Sequence, residues 1–229
     1  MYEHLKEYND IEVFVSDSAW QFKGHESNKL QLNLPFREVC SGWEFIQRNG
    51  VVLAPWRICI QRKFYIKHDL KFPECCRIED VDWACTVLYY AKRIQYRPVL
   101  LVHYIKGETG QTDNMYRNVE ILKANIIAGN RTWNVASTLY KDSPVQENIK
   151  NVAEMYYNYS CRYLCGMFKP LKVKRDIIGL IVIPNSRYKL VDFALKHATL
   201  FSILSNLGVP AFRSVRIVKR WIKARLLEQ

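Results

Sequence analysis

Apolar and polar positions alternate early in the chain. Residues 11–15, I-E-V-F-V, break an apolar run with Glu12 and predict a strand, and residues 51–53 predict a second short one. The polar stretch 24–33 between them reads as a loop. Residues 43–48, behind Ser41-Gly42, predict a short helix, and Pro55 opens P-W-R-I-C-I-Q-R-K-F-Y-I, a helical pattern with proline in its first turn. In residues 80–93, Val81, Ala84, Cys85, Leu88 and Ala91 recur near 3.6 spacing, and Asp80 and Asp82 fall in the first turn, where carboxylates suit the helix dipole. Residues 94–96 and 99–105 then read as two strands parted by Pro98, ended by the glycines at 107 and 110.

From residue 114 the strand signals fade. Helices are predicted over 114–128, 144–168, 172–183, 187–206 and 211–227. In the last of these Val215, Val218, Trp221, Ile222 and Leu226 share one face, while Arg213, Arg216, Lys219, Arg220 and Lys223 share the other. The expected organisation is therefore a mixed α/β region over residues 1–112 and a basic all-helical region over 113–229. The N-terminal residues lack the basic-then-apolar pattern of a signal segment. The longest apolar run, 177–183, is too short to span a bilayer. A cytoplasmic protein, peripheral at the inner face of a membrane, is the expectation.

Charge sharpens the division. The chain has 229 residues and a formal charge of +12, of which residues 1–150 carry +2 and residues 151–229 carry +10. Positive charge gathered at one end points to an anionic partner surface, lipid or nucleic acid. An aromatic among basic residues beside an apolar stripe suits a lipid interface, and no phosphate loop, zinc knuckle or RNA-binding aromatic motif supports nucleic acid. Arg216, Lys219, Arg220, Trp221 and Lys223 are the candidate membrane or anion contacts. The seven cysteines form no C-x-x-C pair and have no histidine at ligand spacing, which disfavours zinc and a disulfide framework.

Candidate chemistry concentrates in F-P-E-C-C-R-I-E-D-V-D-W, residues 72–83. The carboxylates of Glu79 and Asp80 stand where a loop enters a helix. Such a carboxylate either caps the helix by accepting backbone N–H bonds or points into a cleft as a general base. The local pattern leaves both open.

The wider context resembles a known family. Trp56 before an amphipathic segment, Arg62 and Phe64 at its end, the turn Leu70, Phe72, Pro73 and Glu74, then Glu79-Asp80, the helix ending Ala91-Lys92-Arg93-Ile94 and the aromatic-rich strand to Tyr104 follow the order of the second half of family-two glycosyltransferases of the GT-A fold. The resemblance covers residues 51–112.

It implies a partial GT-A-like mixed sheet and an inverting transfer of a sugar from a nucleotide-sugar donor to an acceptor hydroxyl, in cell-surface polysaccharide or glycan assembly. Asp80 would be the base and Glu79 the acceptor-binding carboxylate. Trp56 and Trp83 would wall the cleft, with Arg62 a further substrate contact. The family also uses a divalent cation, Mn²⁺ or Mg²⁺, and a preceding nucleotide-binding half. Neither the cation's ligand set nor that half is recognisable in this sequence, so a separate half or a partner subunit is expected. Asp80-Val81-Asp82 spells Asp-x-Asp, but at the start of a helix its two side chains splay apart. The alternative from another class is a non-catalytic basic module that binds an anionic membrane surface or a partner subunit.

Overall fold

The computed structural model describes residues 10–22, 25–27, 38–74, 77–106, 118–165 and 167–206. The predicted segment 211–227, with Arg216, Lys219, Arg220, Trp221 and Lys223, lies outside them, as do Cys75 and Cys76. The fold is mixed α/β. Two compact units divide the chain: residues 1–113 with 131–152, and residues 114–130 with 153–229.

In the first unit the elements are β1 (Val13–Phe22), β2 (His25–Ser27), β3 (Val39–Cys40), α1 (Gly42–Asn49), a 3-10 turn (Pro55–Arg57), β4 (Ile58–Ile60), α2 (Arg62–Lys67), α3 (Asp80–Tyr90) and β5 (Ile94–Lys106). The strands form one mixed sheet in the order β2-β1-β5-β3, with β4 also paired to β1. The long central pair β1 and β5 is parallel, Val13 opposite Ile94 through Phe22 opposite Lys106. β2 and β4 run antiparallel to β1 and β3 antiparallel to β5.

The stretch read as a loop over 24–33 holds β2, the helix expected over 172–183 ends at Ile178, and the one expected over 187–206 is broken at His197. Three more expectations change. Residues 94–106 are one strand, not two, because the β1–β5 register shifts between Ser16 and Ser18 and leaves Pro98 in the irregular stretch, where a missing N–H costs no ladder bond. The segment after Pro55 is not one helix: Ile58-Cys59-Ile60 pairs with Val15-Phe14-Val13 of β1, and only Arg62–Lys67 coils. Its β-branched residues find better packing on a sheet edge than on a helix face. Residues 51–53 form no strand.

The first core gathers Val13 and Val15 of β1, Phe45 and Ile46 of α1, Cys85, Val87 and Leu88 of α3, Ile94 of β5, and Tyr140 and Ile149. A capping box starts α1, Ser41 Oγ accepting from Glu44 N–H while the Glu44 carboxylate accepts from Ser41 N–H. Gly42 N–H donates to Ala91 O at 2.8 Å, and a Cβ at Gly42 would lie 1.7 Å from the Leu88 carbonyl oxygen. Only glycine lets α1 begin that close to the end of α3.

The helices α4 (Val119–Thr138) and α5 (Gln146–Cys165) each run through both units. In the second unit they are joined by α6 (Leu171–Ile178), α7 (Lys189–Lys196) and α8 (Ala198–Asn206). Gly129 of α4 lets α5 approach, since a Cβ there would stand 2.6 Å from the Tyr157 ring. Tyr157 OH donates to Asn130 Oδ1, and Asn130 Nδ2 donates to Leu180 O at 2.7 Å. Lys174 is wholly buried, its Nζ donating to Leu164 O at 2.8 Å and Ser205 Oγ at 2.6 Å, so a cation meets the C-terminal carbonyls of α5.

Candidate functional site

The loop between α2 and α3 ends at Arg77-Ile78-Glu79, and Ile78 has φ +62°. A β-branched residue in the left-handed region is strained and is kept there only by its surroundings. Arg131 of α4 supplies the hold: its Nη2 donates to the Ile78 carbonyl at 2.7 Å. The same guanidinium binds Asp82 at both oxygens, Nε to Oδ2 and Nη2 to Oδ1, each 3.0 Å. One side chain thus fixes both the entry turn and the first turn of α3.

Between those fixed points lie Glu79 and Asp80. Glu79 is the N-cap of α3, exposed, and no side-chain hydrogen bond closes the cap. Asp80 is the first helical residue and is half-buried. Asp80 is not the N-cap residue, and its carboxylate accepts from its own backbone N–H in the first turn. Burial pushes the Asp80 carboxyl above its ordinary value, its own backbone N–H pulls it down, Glu79 and Asp82 raise it further, and Arg131 lowers it. A half-buried carboxylate of raised basicity beside an exposed one is an arrangement that takes a proton from a bound hydroxyl.

The other predicted residues are spread more widely. Trp83 is 6% exposed, its Nε1 donates to Leu70 O at 3.3 Å, and its ring stacks on Phe72 with centroids 4.3 Å apart. It fastens the Leu70–Phe72 stretch to α3, so that Phe72, 40% exposed, presents the outer face of the pair. Trp56 is 37% exposed in the turn before β4, and Arg62 is exposed at the start of α2.

Two features were not singled out from the sequence. Arg131 is one; its partner Asp82 is 49 residues away, and nothing local marks it. The second is a buried polar cluster where the β1–β5 register shifts: Tyr96 OH donates to Asp17 Oδ1 at 2.8 Å, Arg57 Nη2 lies 3.8 Å from the same oxygen, and Arg57 Nε donates to Ser16 O at 2.8 Å. Burial lowers the pKa of Arg57, and Asp17 opposes that effect. This cluster ties the turn carrying Trp56 to the sheet.

The cation that the resemblance implies does not fit the residues seen. Asp82, half of the only Asp-x-Asp at this site, has both oxygens engaged by Arg131, and no group of three or more His, Cys, Asp or Glu gathers among the described residues. Among the described cysteines, burial pushes the Cys40 thiol up to about 11 and that of Cys165 up to about 12, which leaves those two poor nucleophiles. No described helix is long and apolar enough to cross a membrane. Comparison with protein-family models, with curated proteins and with solved structures gives no match to the chain.

Proposed function

We propose that the protein is an inverting glycosyltransferase of the family-two, GT-A kind, with Asp80 as its base. The observation that carries this reading is the position of Asp80: half-buried, raised in basicity, and held behind a strained residue that Arg131 pins. Strain kept at one junction by a dedicated side chain is a common mark of a working site.

In the reaction an acceptor hydroxyl hydrogen-bonds to Asp80, and its oxygen attacks the anomeric carbon of the donor sugar. The new C–O bond forms as the bond to the nucleoside diphosphate breaks; the bonding pair leaves with the diphosphate and the hydroxyl proton passes to Asp80. Glu79, exposed beside it, orients another hydroxyl of the acceptor. Trp56 and the Phe72 face offer apolar platforms to sugar C–H faces. No step is assigned to a cation. The expected partners are a nucleotide sugar and a glycan or lipid-linked acceptor of cell-surface polysaccharide assembly.

Calorimetric titration with UDP- and GDP-sugars, with and without Mn²⁺, followed by transfer of labelled sugar to glycan acceptors, tests this. Asp80→Asn should keep donor binding and the melting temperature while lowering transfer by about 10²–10⁴-fold, the range of general-base catalysis. Folded chain that binds no donor, or an Asp80→Asn variant that transfers at the native rate, overturns the reading.

A further inference from the structure

The second unit, residues 114–130 with 153–229, holds sixteen Lys and Arg against five Asp and Glu, +11 of the chain's +12. Its described surface also exposes an aromatic ring with no burial to explain it: Phe168 is 84% exposed, the most open of the large apolar side chains seen. The ring is not on a loose end. The neighbouring Lys169 is clamped to the last residue of α8 by reciprocal bonds, Asn206 Nδ2 donating to Lys169 O at 2.6 Å and Lys169 N–H donating to Asn206 Oδ1 at 3.2 Å.

Beyond Pro170, α6 begins. Its residues Leu171 and Arg175 stand four apart on one helix face with Lys172 next to Leu171, all three exposed, and Lys172 and Arg175 pair with no carboxylate among the described residues. Ile203, 41% exposed, lies one turn before Asn206 on α8. An open aromatic and an exposed leucine close in sequence to two cations with no carboxylate partner among the described residues match an anionic bilayer, whose headgroups take the charges and whose acyl boundary takes the ring.

We propose that the surface formed by Phe168, Leu171, Lys172 and Arg175 is a docking face for an anionic lipid bilayer, which seats the second unit at the membrane with the Phe168 ring inserted. The proposal stands apart from glycosyl transfer and does not need it.

Co-sedimentation of the full chain with vesicles of 30% phosphatidylserine in phosphatidylcholine, against pure phosphatidylcholine, is the test. The native chain should bind the anionic vesicles, and binding should fall with added salt. Lys172→Gln with Arg175→Gln should weaken it about 30-fold, the weight of two basic residues at such a surface, and Phe168→Ser should weaken it several-fold more than Phe193→Ser, a change of the same kind on α7. Circular dichroism melts confirm that each variant folds; where Phe168→Ser fails to fold, the uncharged Phe168→Gln gives the same readout. Absent or charge-independent binding overturns the proposal. So does binding lost in Lys219→Gln, Arg220→Gln, Lys223→Gln but kept in the Phe168 and Lys172/Arg175 variants, which would assign the contact to the tail alone, or a Phe168 region that the tail or a second protein copy shields from surface labelling without vesicles.

Discussion

Removing Arg131 should disturb the first unit at two places at once. Its guanidinium binds both oxygens of Asp82 at 3.0 Å and the carbonyl of strained Ile78 at 2.7 Å. The Arg131 and Asp82 side chains are 23% and 14% exposed, so the pair is mostly withdrawn from water. Breaking a fully buried pair by deleting one member costs about 3–5 kcal/mol. An exposed pair is worth about 0–1 kcal/mol. For Arg131→Met we expect a loss of about 2–3 kcal/mol, between those limits, because Asp82 is left charged and largely dry. Asp82→Asn in the Arg131→Met background should recover about 1 kcal/mol, since the stranded charge is gone. Urea unfolding followed by tryptophan fluorescence reads the right unit, as Trp20, Trp43, Trp56, Trp83 and Trp133 all fall within it. A loss below about 0.5 kcal/mol, or strict additivity of the two changes, would refute the reasoning and leave the Ile78 turn held by something else.

Three other changes are informative. Asp80→Asn should be at least as stable as the native chain at pH 7. Burial raises the folded-state pKa of Asp80, so its contribution to stability is complete below its unfolded value, about 4, and is lost as pH rises through the folded one; the gap should therefore close in acid melts, and a variant about 1 kcal/mol weaker at pH 7 would restore the capping reading. Gly42→Ala should cost about 3 kcal/mol or more in chemical denaturation, because its Cβ meets the Leu88 carbonyl at 1.7 Å and displaces the Gly42–Ala91 bond. Glu154 is buried and accepts from Arg187 N–H at 2.9 Å and Arg187 Nε at 3.2 Å, so Glu154→Ala should cost about 2–3 kcal/mol and speed hydrogen exchange at the Arg187 amide.

Elements whose pattern is satisfied locally were legible in the sequence. The helix predicted over 80–93 forms as α3, the one over 43–48 as α1 behind its Ser41 cap, and the one over 144–168 as α5. The helix predicted over 114–128 is displaced to Val119–Thr138, because G-N-R-T-W-N-V-A-S-T carries a weak apolar period yet packs Ala136 and, just beyond, Tyr140 into the first core. Glu79-Asp80 stood out because a carboxylate pair at a helix start is a local signal.

What the sequence determined by itself was therefore the helical character of the described residues after 118, the strand at the start of the described chain, the concentration of charge at one end and the place of the carboxylate pair. These depend on neighbours within a turn or two of the backbone, where spacing and capping act directly. Tertiary structure decided the rest. It made Ile58–Ile60 a strand by offering it the edge of β1, brought Asp17, Arg57 and Tyr96 together across as many as 79 residues, and gave Asp82 to Arg131. It also left Phe168 in the open beside Lys172 and Arg175. Pairings of that range are fixed by which surfaces bury one another once the chain has closed on itself, and no local pattern in the sequence encodes them.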